Sequence, residues 1–373
     1  MAEIALASAS AKQVWQNQYF QEYVRMSGYR DYMTNTNNGN KSGIILTRYD
    51  QLQREAGTTI NIPFIGRLKG TGVAGSTALD GNEQTLTNFN MPIAIDWRRQ
   101  GVRVPKSESF KTEIDLWNAA KDALKVWEAE QIRDDITKAL AAVVTDTSGT
   151  TVNLDVATTA NKNAWCAANS DRILFGGAKS NYSATFATGL GNVTTSTGKV
   201  TAATASLWKR MAKLADPHIR PYKTEDGREF FVAFHGTRSF RDLKLDATIV
   251  AANTNARARE GDGMNRNPLF QDGDIIYDGI VHHEVPEIDA YATTAGLDAA
   301  GGSSADVRPV FVCGTGAAGI AWGQLPTMRT DMIKDYGFRP GVAIEELLAV
   351  KKINFNGVQN GMVTAFVAAA ADS

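Results

Sequence analysis

Apolar side chains recur every three, four or five positions over residues 112–144, from Ile114 to Val143. This spacing places them on one face of an α-helix. Thr112 and Asp115 have the spacing of a capping box, which indicates where the helix begins. The stretch that follows is rich in serine, threonine and glycine, and it ends the helix. The pattern predicts a single long spine helix, longer than a compact enzyme of this size commonly needs.

A different pattern precedes the spine helix. Residues 58–66 and 89–104 alternate between apolar and polar side chains, as β-strands do. Between them lies a glycine-rich segment, residues 67–84, that is almost free of large apolar groups. The two strands are predicted to form a long hairpin with a mobile tip. Such a hairpin has no core of its own, so it must rest on another surface.

The chain begins and ends with different element types. Trp15, Tyr19 and Tyr23 lie four positions apart and predict a helix near the N-terminus, which docks either on its own subunit or on a neighbour. Beyond residue 203 helices and strands alternate loosely, which indicates an α+β fold. The predicted helices are 206–215 and 237–252, and the predicted strands are 228–236, 274–284, 307–314, 341–356 and 361–370.

Composition narrows the function classes. The 373 residues include 39 basic and 40 acidic side chains, a formal charge of −1, so the chain lacks the basic excess of a protein that grips nucleic-acid phosphates. Cys166 and Cys313 have no C-x-x-C partner and are predicted to be buried thiols. No signal peptide and no membrane-spanning apolar stretch is predicted, which favours a soluble protein made inside the cell.

Two glycine motifs have the letters of a dinucleotide-binding fingerprint. One is Gly70, Gly72 and Gly75, and the other begins at Gly314. A phosphate loop must follow a strand and open a helix, and neither copy is followed by a helical pattern. They are interpreted as a flexible hairpin tip and as close packing beside a strand. No cofactor is expected.

The chain also has few histidines that could act as catalytic bases or metal ligands. The chain has four histidines, and only His282 and His283 are adjacent. Neighbouring side chains of a strand point to opposite faces, so this pair is not expected to bind one metal. Neither a catalytic residue nor a metal site is predicted.

Four stretches carry a resemblance to a known family: "TTINIPFIGRLKGTGVAG", "DWRRQGVRVPKS", "NRNPLFQDGDIIYDGIVHHE" and "DYGFRPGVAIEELLAVKKINF". With the order of the elements, they resemble the major capsid proteins of tailed bacteriophages, and in particular the N-four-type family. The resemblance spans about residues 10–370. It implies the Hong-Kong-97-type coat fold. The implied parts are an N-terminal arm (1–57), an extended β-hairpin loop (58–104), a peripheral domain with the spine helix (105–146 and 336–373) and a mixed α/β axial domain (147–335).

The same resemblance implies a structural protein of the virion that is not an enzyme. It would assemble with itself into pentamers and hexamers around double-stranded DNA, which it would bind weakly and without sequence specificity. It would be made in the bacterial host cytoplasm and meet a portal and scaffold or decoration proteins. The alternatives are an encapsulin-like compartment of the same fold and, from another class, a nucleotide-binding enzyme built on the glycine loops.

Aromatic and charged side chains are the candidate subunit contacts, although a solvated face is the default interpretation for the charged groups and a subunit contact is the alternative. Opposite charges on the two arms of the hairpin tip could pair with neighbouring subunits. The candidates are Trp15, Tyr19, Arg67, Lys69, Asp80, Glu83, Arg98, Arg99, Arg238 and Arg241.

Overall fold

Two β-sheets and one long helix form the frame of the subunit in a computed structural model of the chain. The structure describes residues 29, 32–35, 43–48, 59–68, 70, 72–76, 78–109, 116–223, 228–252, 270–271 and 274–371. The predicted N-terminal helix with Trp15 and Tyr19 lies outside these residues. So do Lys69 and the predicted capping box.

The described helices and strands agree with a mixed α+β fold. The α-helices are Lys106–Ser109, Leu116–Ala141, Thr159–Ala168, Phe186–Gly191, Ala202–Leu214, Thr237–Lys244, 247–252 and Glu287–Thr294. One sheet has five strands, in the spatial order Met33–Asn35, Ile45–Arg48, Ala318–Asp331, Gly341–Lys352 and Asp96–Arg103. The other has eight strands, in the order Phe270–Gln271, Asp274–Tyr277, Ile280–Glu284, Glu229–His235, Val307–Cys313, Met362–Ala368 and Ile173–Phe175, with Tyr222–Lys223 beside Glu229–His235.

Three two-stranded ribbons complete the described β structure. They are Thr59–Ile65 with Asn88–Ala94, Val143–Val144 with Thr151–Val152, and Asn354–Phe355 with Val358–Gln359. Short 3₁₀ turns lie at Lys179–Asn181, Gly302–Ser304 and Lys334–Gly337.

The spine helix, Leu116–Ala141, connects the two sheets. Its first half buries Leu124 against Val342 and Ile344 of the five-stranded sheet. Its second half buries Ile132 and Ile136 in the main core beneath the eight-stranded sheet. At 1.5 Å per residue the helix is about 39 Å long, which is long enough to reach both cores. The predicted apolar stripe is confirmed from Trp117 to Leu140, but the helix ends at Ala141, and Val143, predicted as its last apolar residue, lies in the strand Val143–Val144.

The eight-stranded sheet is buried on both faces. Along the strand Glu229–His235, Val232 and Phe234 face the core that contains the spine helix. Phe231 and Ala233 face a second core, formed largely by the helix Ala202–Leu214. Alternation of side chains along a strand directs successive residues to opposite faces, and here both faces are apolar. This explains why the stretch reads as a continuous hydrophobic run in the sequence.

Three predicted strands and one predicted helix divide in two; one of the strands, 341–356, forms Gly341–Lys352 and Asn354–Phe355. Residues 274–284 form a hairpin, because Asp278 and Gly279 adopt positive φ and make a tight turn. Residues 88–103 form two strands that separate at Ile95 and pair with different partners. The predicted helix 237–252 ends at Lys244 and resumes at 247. Alternation alone cannot locate these breaks, since the apolar pattern continues through them.

The sheets also divide the chain differently from the predicted domain boundaries. Strand Asp96–Arg103, expected in the hairpin loop, pairs with Gly341–Lys352 in the five-stranded sheet. Strand Ala318–Asp331, expected in the axial domain, pairs with the same neighbour. The last strand, Met362–Ala368, was grouped with the spine helix but lies in the eight-stranded sheet beside Val307–Cys313. Long-range pairing decides these assignments, and it leaves no signal in local periodicity.

Candidate assembly surfaces

The root of the hairpin is anchored on its own subunit. Ile60, Met91 and Ile93 are buried in a small cluster with Ala321 of the five-stranded sheet. The ring of Phe64 stacks on Phe355 with ring centroids 4.3 Å apart. Two paired strands without such support are marginal in water. The packing therefore fixes the direction in which the hairpin leaves the subunit.

The tip of the hairpin, residues 66–87, is exposed along nearly all of its described length. It begins where Gly66 N–H donates to Thr87 O at 2.8 Å, the last backbone bond between the two arms. Leu68, Leu79 and Leu86 are each more than half exposed. Large apolar groups concentrated on one projecting segment are typical of a surface that contacts another molecule.

Glycines shape this tip as predicted. Gly70, Gly72 and Gly75 all have positive φ, a conformation that glycine adopts without steric cost. The next element that the structure describes after them is the strand Asn88–Ala94 and not a helix, so the motif does not lead into the helix N-terminus that a phosphate loop requires. The interpretation of this motif as a hairpin tip is confirmed.

The twin motif also serves packing. A side-chain carbon at Gly314 would lie 2.2 Å from the Arg220 carbonyl oxygen, which leaves room only for glycine. Gly316 has a φ of 71° in the turn before the strand Ala318–Asp331. The strand Ala318–Asp331 begins within this motif, so here too the glycines lead into a strand and not into a helix.

Charges at the tip have contacts within the subunit. Arg67 Nη2 lies 3.2 Å from Asp216 Oδ1, and both side chains are about half exposed. Glu83 Oε2 accepts a hydrogen bond from Gly81 N–H at 2.8 Å and stiffens the turn. Asp80 is exposed on the same turn. Exposed pairs of this kind contribute little stability by themselves.

Arg98 is held inside the subunit by two carboxylates. It lies on the strand Asp96–Arg103 and forms ion pairs with Glu346 of the adjacent strand and with Asp135 of the spine helix. Burial alone would lower the pKa of the Arg98 guanidinium, but the Glu346 and Asp135 carboxylates raise it above its ordinary value. Arg98 therefore joins the spine helix to the sheet.

Replacement of Arg98 by methionine is expected to destabilise the unassembled subunit by about 3–5 kcal/mol, because the buried Glu346 carboxylate loses its counter-ion. Urea unfolding followed by circular dichroism measures the change. Combining Arg98→Met with Glu346→Leu removes both charges and is expected to recover most of the loss. A single variant as stable as the wild type would contradict the assigned role.

Arg99 and the arginines of the helix Thr237–Lys244 lie at the surface. Arg99 is exposed on the edge strand, opposite Glu345 in register. Arg238 is half-buried, with Nη1 3.2 Å from Asp306 Oδ2. Arg241 is exposed on the same helix. The candidate residues that the structure describes do not lie together in one site; they lie on the hairpin, the edge strand and this helix.

One exposed surface was not predicted. The turn between the strands Ala318–Asp331 and Gly341–Lys352 presents Met332, Ile333, Tyr336 and Phe338, all substantially exposed. Its Asp335 and Tyr336 have positive φ, which costs non-glycine residues about 1–3 kcal/mol each. A turn held in this form with apolar side chains outward is a second candidate contact. The sequence signal was the cluster of four apolar residues within seven.

The described part of the chain provides little for catalysis. It contains no group of three or more histidine, cysteine or acidic residues that could hold a metal ion. Cys166 and Cys313 are buried free thiols, as predicted, and burial raises the pKa of the Cys166 thiol to about 12. His282 and His283 point to opposite faces, since His282 contacts His235 while His283 contacts Asp274. None of the helices that the structure describes has the length and apolar character needed to cross a bilayer.

Solved structures with the same architecture are coats of phages. The chain is similar over its full length to a chain of the cyanophage Pam1 capsid, with 45% identity, complete coverage of both chains and a TM-score of 0.85. It also resembles the capsid of Ralstonia phage GP4, with 18% identity, a TM-score of 0.68, and 92% and 90% of the two chains covered. The extended hairpin, spine helix and two sheets therefore define the Hong-Kong-97-type coat fold.

Sequence comparison identifies the family. A family model described as phage capsid protein matches residues 3–368. The chain is also 24% identical over 359 residues to the major capsid protein of Pseudomonas phage KPP25, with 89% of each chain covered. The chain belongs to the phage capsid protein family. The proteins of this family are structural subunits of phage shells and not enzymes, so this chain has a structural, shell-forming role.

Proposed function

We propose that the chain assembles into pentamers and hexamers that form an icosahedral shell around double-stranded DNA. The observation that carries this proposal is the exposed hairpin tip, whose large apolar side chains are left uncovered by its own subunit. Burying them on an adjacent subunit would stabilise the contact by about 1.5–3 kcal/mol per fully buried leucine. Repetition of one such contact around an axis closes a ring.

Each part of the chain has a proposed place in that shell. The hairpin within residues 58–104 would lie across an adjacent subunit, and the N-terminal arm, residues 1–57, would add a further contact through Trp15 and Tyr19. The spine helix with the five-stranded sheet would form the peripheral domain. The eight-stranded sheet would form most of the axial domain near the capsomer axis. Membership of the N-four-type branch rests on the four sequence stretches that resemble it.

Other partners follow from the same role. A near-neutral chain, with 39 basic and 40 acidic residues, suits a container that holds DNA weakly and without sequence specificity. A portal and scaffold or decoration proteins would complete the particle, which would be assembled in the bacterial host cytoplasm. The exposed turn at residues 332–338 is available for contacts between capsomers.

Expression of the full chain followed by negative-stain microscopy tests the proposal. The expected result is uniform closed particles tens of nanometres across, built from rings of five and six subunits. Sedimentation should place most of the protein in one large species. A protein that stays monomeric or dimeric at all concentrations, also with its scaffold partner supplied, would overturn the shell proposal.

A further inference from the structure

An apolar groove lies beside the helix Ala202–Leu214. It has a volume of about 280 Å³, and its floor is formed by Leu207, Met211 and Leu214. These three residues recur at the four- and three-residue spacing that places side chains on one face of a helix. Toward the second core the helix buries Ala205, Trp208 and Ala212; Met211 is buried there too and Leu207 packs partly against it, so both border the core and the groove. Leu214 is left 66% exposed.

The groove has charged residues at its rim. Arg210 is exposed there, and Lys179 is the second basic group. Lys179 Nζ donates to the Ser170 carbonyl oxygen, which holds the ammonium group at the rim. The one rim carboxylate, Asp171, is engaged by the backbone N–H of Asp216 at 3.0 Å. An occupant that matches this surface has an apolar side chain beside a carboxylate.

The tip of the hairpin has this chemistry. Asn82 N–H donates to Leu79 O at 2.9 Å, which closes a turn that projects Leu79, 62% exposed, beside Asp80. The Glu83 carboxylate binds the Gly81 N–H and holds the turn in shape. A preformed turn loses less conformational entropy when it docks than a flexible segment does.

The tip does not fill the groove of its own subunit, because Leu79 and Leu214 are both exposed within one subunit. We propose that the groove receives the hairpin tip of a second copy of the chain, with Leu79 on the apolar floor and Asp80 beside Arg210. This contact rests on the proposed shell function and specifies which surface of the neighbour the hairpin occupies. An apolar floor flanked by basic groups fits such a turn better than it fits a nucleic-acid backbone.

Disulfide trapping in assembled particles tests the contact. Leu79→Cys and Leu214→Cys are introduced into one chain, whose native thiols at Cys166 and Cys313 are buried. Mild oxidation of the particles is followed by electrophoresis without reductant. Links between each tip and the next groove are expected to give a ladder of dimers and higher multiples up to the ring size. A disulfide forms only where the two Cα atoms come within about 7 Å.

The matched control pairs Leu79→Cys with Val156→Cys, because Val156 is exposed to nearly the same extent as Leu214. The control is expected to give at least about fivefold less ladder. Wild-type particles that assemble while the Leu79–Leu214 pair gives no more ladder than the control would overturn this contact and leave the shell function intact. Cross-linking confined within single chains would also overturn it. Failure of the wild type to form particles would instead count against the shell function.

If the cysteine variant does not assemble, exchanging the charges of Asp80 and Arg210 tests the same contact between the tip and the groove. Asp80→Lys and Arg210→Glu are each expected to lower the yield of particles at least about threefold. The double variant restores opposite charges and is expected to recover most of the yield. Two independent, additive losses in the double variant would contradict the pairing.

Discussion

A variant lacking residues 68–84 is expected to fold like the wild type and to assemble at least about ten times less readily. The deletion leaves Arg67, Thr85 and Leu86 between Gly66 and Thr87, a three-residue loop that a hairpin accommodates. It removes Leu68 and Leu79, both more than half exposed, so the subunit loses no core. Each contributes about 1 kcal/mol or more when buried on a neighbour, and 1.4 kcal/mol corresponds to a factor of ten.

Two measurements separate assembly from folding. Urea unfolding of the unassembled subunit is expected to give the same midpoint for the deletion and the wild type. Light scattering against protein concentration gives the threshold for particle formation, which is expected to rise in the deletion. Val156→Ser changes an exposed apolar residue outside the tip and serves as the control. Particles of normal yield and stability from the deletion variant would show that the tip is not an assembly contact.

The local pattern of apolar and polar residues was sufficient to predict the spine helix and the hairpin. The spacing of Leu124, Ile132 and Ile136 predicts one apolar face of the spine helix. All three side chains are buried in the structure. The hairpin was predicted because alternation and a glycine-rich centre together allow few other structures. The rejection of a phosphate loop at Gly70 also needed only local information, since the decisive fact was the strand that follows.

The environment of individual side chains could not be predicted from local sequence, because it depends on pairing between distant strands. Arg98 and Arg99 are adjacent and alike in the sequence, yet one binds Glu346 and Asp135 and the other is exposed. The difference depends on which face of the strand Asp96–Arg103 meets the spine helix. That in turn depends on its register with Gly341–Lys352, more than 200 residues away. No local pattern contains this register.

The helix Ala202–Leu214 illustrates the same limit for a functional surface. By spacing alone, Leu207, Met211 and Leu214 share one face of this helix. The structure buries Met211 and packs Leu207 partly against the second core beside Trp208, but it leaves Leu214 exposed. An amphipathic pattern identifies an apolar face but not what covers it. The exposed end of this face therefore points to a partner only after the fold is known.

Two buried histidines are expected to make the subunit less stable in acid. His235 Nε2 and His282 Nδ1 are 2.8 Å apart, and both rings are fully buried beside Trp208 and Phe240. A single proton occupies the hydrogen bond between two neutral rings. Burial lowers the pKa of His282 to about 3, and burial together with the neighbouring ring lowers the pKa of His235 well below its ordinary value.

The unfolded chain therefore binds protons below pH 6.5 that the folded subunit does not bind. Stability from this pair is fully present above pH 6.5 and is lost as the pH falls toward 3, by about 1.4 kcal/mol per pH unit for each histidine. Urea unfolding of the unassembled subunit at pH 7, 6 and 5 measures the slope. Replacing both residues, His235→Phe with His282→Leu, is expected to flatten it, whereas His218→Gln, at an exposed position, is expected to leave it unchanged. Carboxylates titrate alike in all three proteins, so an equal slope in the double variant would show that the buried pair does not set the acid sensitivity.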